Sequence, residues 1–148
     1  MATSVTANTN VSTWDDVEEK SRGEFPVLPA GVYADCYLKD WTKETSKKGD
    51  DYYRPEYVVR GADGDEYHVW GYWDTRKARG FMKKDLAALG VTLVGIAIDD
   101  IESLEERMDD ARGTDCRLRL RVRQYESEDD DGNPVMKEAN DIRAVMPA

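Results

Sequence analysis

The chain has 148 residues, 40% hydrophobic and 35% charged, with a formal net charge of −10. That is the length of one domain with a real core, and no apolar run approaches the roughly 20 residues of a membrane-spanning helix. The acidic balance argues against a protein that grips duplex DNA by its overall charge, although the local field of a groove matters more than the total.

Residues 1–23 are polar, with Trp14 and Val17 as the only strong apolar handles, and read as a flexible arm. The opening Met-Ala-Thr-Ser-Val-Thr-Ala-Asn has neither a basic n-region nor an apolar h-region, so the expected compartment is the cytoplasm. The remaining residues, 24–148, read as one domain. Phe25–Gly31 is an extended lead-in with two prolines. A first strand is expected over Val32–Thr42, with Val32, Ala34, Cys36 and Leu38 on one face and Tyr33, Tyr37, Lys39 and Trp41 on the other. Residues 43–51 form a basic loop containing Lys47 and Lys48.

Tyr52–Arg60 and Glu66–Trp73 are the next two strands, joined by the turn signal Ala62-Asp-Gly-Asp65. Asp74–Gly90 reads as a helix capped by Asp74 or Thr75, with Phe81, Met82, Leu86 and Leu89 facing the core. The apolar run 91–98 fits a short strand or a loop. Asp99–Arg112 reads as an acidic amphipathic helix built on Ile101, Leu104 and Met108.

Next comes the most patterned stretch, Cys116-Arg-Leu-Arg-Leu-Arg-Val-Arg-Gln-Tyr125. Strand periodicity puts Cys116, Leu118, Leu120 and Val122 on one face and Arg117, Arg119, Arg121 and Arg123 on the other. The planar Arg fork suits phosphate oxygens; a solvated Arg face paired with acids on neighbouring strands is the plainer alternative. Glu128–Pro134 is a hairpin turn, and Val135–Val145 a fifth strand with a bulge or bend at Ala139-Asn-Asp141.

Three strands, a helical region and two strands give a mainly β chain with one or two helices between strands three and four. That is the order of a five-stranded OB-fold-like antiparallel barrel; the alternative is an open antiparallel sheet with helices on one face. In the barrel, strands one and four are neighbours, so Cys36 and Cys116 both point inward and lie close, as free thiols in a reducing compartment.

One His and two separated Cys do not have zinc spacing. There is no calcium loop, Gly-rich phosphate loop, Gly-x-Ser-x-Gly or Cys/His dyad, so the expectation is a non-enzyme without metal or cofactor. A metal-dependent nuclease would need its carboxylates converged, whereas these sit in runs typical of loops and helix surfaces.

The lead-in Leu28-Pro-Ala-Gly-Val-Tyr33, the hairpin Asp131-Gly-Asn-Pro134 and the closing Asn140-Asp-Ile-Arg-Ala-Val-Met-Pro147 resemble the small phage-encoded OB-fold single-stranded DNA-binding proteins. The resemblance spans residues 24–147. It implies sequence-independent binding of single-stranded DNA in phage replication or recombination, without catalysis and without a membrane. Partners would be the single strand and phage recombinase or replication proteins, in the host cytoplasm.

A single strand is held by a cationic groove along its phosphates and by aromatic rings under its bases. The cationic candidates are Arg117, Arg119, Arg121 and Arg123 with Lys47, Lys48, Arg54 and Arg60. The aromatic candidates are Trp41, Tyr53, Tyr57, Trp70, Tyr72 and Trp73, although some of the eight Tyr and four Trp must fill the interior. Four engaged arginines predict a log–log salt slope of about −3. The alternative function, suggested by the net charge and acidic runs, is a protein-interaction module or a DNA mimic acting on a host nucleic-acid enzyme.

Overall fold

The computed structural model describes Thr13 and residues 27–148; the expected arm over residues 1–23 otherwise lies outside the described residues. The elements run β1 (Gly31–Thr45), β2 (Asp51–Arg60), β3 (Glu66–Trp70), α1 (Arg79–Ala88), α2 (Ile101–Asp110), β4 (Asp115–Glu128) and β5 (Pro134–Pro147). The strands form one antiparallel sheet in the order β3-β2-β1-β4-β5. Its two edges approach each other without pairing. A Cβ added to Gly71, just past β3, would stand 3.5 Å from Cδ1 of Ile142 in β5. The sheet is therefore mainly β and curled, but open between β3 and β5. Closure into a barrel is not reached. Among the described residues no helix is long and apolar enough to cross a membrane.

β4 follows its alternation. Cys116, Leu118 and Leu120 are buried at 0–2% exposure while Arg117, Arg119, Arg121 and Arg123 stand exposed. β1 does not. Register shifts between Tyr33 and Cys36 and between Leu38 and Asp40 each insert an extra residue, and each extra residue reverses which side chains face inward. Cys36 and Leu38 are buried, but Val32 is 51% exposed, and Tyr33 and Trp41 pack against the core from what was expected to be the outer face.

β5 carries its irregularity at Arg143, because Arg119 faces Ala144 while Leu120 faces Ile142. The expected bend at Ala139-Asn-Asp141 is absent; those residues pair regularly with Arg123, Val122 and Arg121. Asn140 instead clamps the lead-in: its Oδ1 accepts the Leu28 N–H at 2.9 Å and its Nδ2 donates to the Leu28 carbonyl at 2.8 Å.

The core gathers Leu38, Tyr57, Val59, Leu118, Leu120 and Val145 from the sheet, and Met82, Leu86, Leu104 and Met108 from the helices. Cys36 faces Cys116 in register, and both are buried free thiols. Burial pushes Cys36 up to about 11 and Cys116 up to about 12.

α1 starts later than the expected Asp74, because buried Asp74 organises a preceding turn instead. Its Oδ1 accepts the Arg76 N–H at 2.7 Å, and its Oδ2 accepts the Tyr72 hydroxyl at 2.7 Å. Burial alone would raise the Asp74 pKa; the Tyr72 hydroxyl and the Arg76 and Lys77 N–H groups outweigh it and hold it below the usual value. Met82, Leu86 and Leu89 do face the core, whereas Phe81, about 100° round the helix from Met82, is 75% exposed. α2 lies within its expected span, with the Asp100 carboxylate accepting the Ser103 N–H at 3.2 Å as its N-cap. Residues 91–98 form turns with no strand.

Candidate functional site

The opening between the β3 and β5 edges is lined on both sides by charged and aromatic residues. One cleft of about 560 Å³ lies between Arg54, His68 and Trp70 of β2 and β3 and Arg123, Tyr125, Lys137 and Asp141 of β4 and β5. A second cleft of about 560 Å³ carries on from it, with Tyr57, Tyr72, Phe81, Asp85, Arg121 and Arg143 in its wall. Trp70, Gly71 and Asp141 line both, so the two make one trough. Tyr72 then joins it to a smaller cleft of about 250 Å³ that holds Lys47, Lys48 and Tyr52.

The trough exists because of three local features. β3 ends at Trp70, and the Gly71 N–H donates back to the Pro55 carbonyl at 2.9 Å. An added Cβ at Gly71 would come within 3.1 Å of Pro55 Cγ, so a side chain there would fill the seam between the clefts. Across the gap, Asp141 stands opposite Arg121 in the β4–β5 ladder, and the period of two brings Arg123 to the same carboxylate. Arg121 reaches Asp141 Oδ2 at 3.2 Å and Arg123 reaches Oδ1 at 3.0 Å. Two guanidiniums share one negative charge, which leaves a local excess of positive charge.

Arg54, Lys137 and Arg143 make no ion pair among the described residues. Arg54 lies over the Trp70 ring at 5.0 Å, a cation–π contact that holds both side chains at the cleft wall. His68 stacks against Trp70 at 6.3 Å and contacts the Glu56 carboxylate through Nδ1 at 2.6 Å. Lys137 and Arg143 complete the cationic lining. Glu138, Asp85 and Asp141 are the carboxylates facing it. Among the described residues no group of three or more His, Cys, Asp or Glu converges to hold a metal.

The candidate residues read from sequence fall into three groups. Arg54, Arg121, Arg123, Trp70 and Tyr72 line the trough, and Lys47 and Lys48 stand at its end. Tyr53, Tyr57 and Trp73 are in the core at 3% exposure or less, where their rings fill the interior instead of offering a stacking face. Tyr53 donates its hydroxyl to Glu105 at 2.7 Å, and Trp73 its indole N–H to Asp85 at 3.1 Å; only Tyr57 among them contributes to the trough, as floor.

The others lie away from the trough. Trp41 is half-buried, edge-on to Tyr53 with rings 5.5 Å apart, and covered by Arg112 at 5.0 Å. Arg60 is held by Asp35 at 2.7 Å and lies over Tyr37. Arg117 donates to the Pro147 carbonyl at 2.9 Å. Arg119 is exposed without an ion pair among the described residues, but lines none of these clefts. The Arg row thus divides: its second half turns to the trough and its first half does not.

Tyr125, Lys137, Asp141, Arg143, Phe81 and Asp85 were missed in the sequence. Tyr125 alone had a signal, since it continues the period of Arg121 and Arg123. No protein-family model matches the chain, and no curated protein matches it.

Proposed function

We propose that this chain is a non-catalytic, single-stranded DNA-binding protein of OB-fold-like architecture, of the kind phages use in replication and recombination. The observation that carries the reading is the trough: two clefts joined at Trp70, Gly71 and Asp141, with cations on both banks and rings along its length. Cations spaced along a groove track a phosphodiester chain, and rings between them accept bases of any sequence. The fold is consistent with it. The strand order β3-β2-β1-β4-β5, with its edges facing each other, needs only β3–β5 pairing to become a five-stranded Greek-key barrel, a common frame for oligonucleotide binding.

Arg54, Lys137 and Arg143 are the trough cations with no carboxylate partner. Three phosphate contacts give a log–log salt slope of about −2, shallower than the about −3 expected from four free arginines. Titration with oligo-dT, followed by Trp fluorescence in a salt series, tests the proposal. Quenching or a shift of the Trp70 emission with that slope is expected; no change at low salt overturns it. A protein-interaction module remains the second reading, favoured by the exposed Asp129, Asp130 and Asp131 at the β4–β5 tip. It predicts that nuclease-treated host lysate still yields partners and that oligo-dT binding is absent.

A further inference from the structure

The second cleft has a polar floor that phosphate tracking does not need. The Tyr57 hydroxyl is buried and has no hydrogen-bond partner. The residue is 0% exposed and borders the cleft together with Asp85. A buried hydroxyl that has lost water and found nothing is costly, and such groups are rare in folded proteins. Beside it, Asp85 accepts the Trp73 indole N–H through Oδ2, at 3.1 Å, and its other oxygen has no partner among the described residues. Both residues border the same cleft, and burial raises the pKa of each, that of Tyr57 further under the Asp85 charge. The same cleft is lined by Tyr72, 53% exposed with its ring 5.2 Å from that of Tyr52, and by Phe81, 75% exposed, so two aromatic rings border the polar floor.

We infer that this cleft is a base-reading subsite, in which Tyr72 and Phe81 take the faces of one nucleobase while Asp85 and the Tyr57 hydroxyl read its polar edge. The inference rests on the trough being a single-strand track, and it adds selectivity to that reading. A carboxylate accepts and a hydroxyl can donate, so the complementary edge has an amino group beside a ring nitrogen. Cytosine presents N4–H₂ beside N3, and adenine N6–H₂ beside N1. Thymine can offer N3–H and O4 to the same pair, but its O2 then stands next to the carboxylate, which repels it. The subsite therefore favours amino-bearing bases, superimposed on a sequence-tolerant groove.

The test is competition among labelled dC, dA and dT homo-oligomers of about 12 nucleotides, within the length that one such domain covers. Wild-type protein is expected to bind dC and dA about five-fold more tightly than dT, the low end of what an unpaired buried polar group costs. Asp85→Asn keeps an oxygen for the Trp73 N–H and turns an amide N–H₂ toward the cleft, so preference moves toward dT, whose O4 accepts. Tyr57→Phe brings the three oligomers together without altering the salt slope. Equal wild-type affinity for all three overturns the subsite but leaves the trough standing. So does a dC and dA preference that survives both substitutions. Absence of binding to any oligomer at low salt overturns the trough reading itself, and the subsite with it.

Discussion

Asp141→Asn is the most informative single change. Arg121 contacts Asp141 Oδ2 through Nε at 3.3 Å and Nη2 at 3.2 Å, and Arg123 contacts its two oxygens at 3.0 and 3.1 Å. The side chains are 51%, 48% and 27% exposed for Arg121, Arg123 and Asp141. Ion pairs this exposed contribute about 0.2–1 kcal/mol each. A phosphate entering the trough must displace the carboxylate, so Asp141 acts as a competitor costing at most about 2 kcal/mol for the two pairs. Asparagine keeps the shape and removes the charge. Affinity for oligo-dT should rise by about 2- to 30-fold at low salt. With two more guanidiniums free to neutralise phosphates, the salt slope should steepen from about −2 to about −3.5. Fluorescence titration between low and physiological salt measures both quantities. Unchanged affinity with an unchanged slope would refute the claim that these arginines face the strand.

Four further outcomes follow from where residues lie. Arg117→Ala and Arg119→Ala, outside the trough, should leave the salt slope unchanged, whereas Arg54→Ala and Lys137→Ala should each flatten it by about 0.7 in the same titration. Trp70→Ala should weaken binding by about 1–3 kcal/mol with the melting curve little altered; Trp73→Ala should destabilise the fold by about 3–5 kcal/mol, seen in denaturant unfolding. Cys36 and Cys116, with pKa values near 11 and 12, should resist thiol reagents at pH 8 until the protein is unfolded, because the thiolate fraction of the native protein is at most about 0.1%. Asp85 has a raised pKa, so its contribution to stability is greatest below the unfolded carboxyl value and is lost as pH rises through the folded one. Asp85→Asn, a mimic of the protonated acid, should therefore melt higher than wild type at pH 7, and the gap should close on acidification through that range.

The sequence was most legible where a strand is regular. β4 alternates regularly from Asp115 to Arg123, so the buried and exposed rows of that stretch were readable from period two alone. The facing of Cys36 and Cys116 followed from the order of elements. β1 defeated the same rule because its two bulges reverse phase, turning Tyr33 and Trp41 inward and Val32 outward, and nothing in its residue types announces a bulge. Phe81 does not face the core as expected because the core face is set by Met82, Leu86 and Leu89, and a residue next to Met82 lies about 100° round the helix from it. The trough was illegible for a different reason. It depends on how closely β3 and β5 approach and on the register that puts Asp141 opposite Arg121. These are pairings between segments far apart in the chain, which local pattern does not encode. The aromatic candidates sorted by burial, so Trp70 and Trp73, three residues apart, ended on opposite sides of the same wall.

Amide chemical-shift mapping of the ¹⁵N-labelled protein with oligo-dT tests the trough most directly. Shifts are expected to concentrate at residues 68–72, 121–125 and 137–144, with the outer Arg117–Arg119 segment and α2 quiet. Shifts centred on Arg117 and Arg119, or none at saturating oligomer, would contradict it.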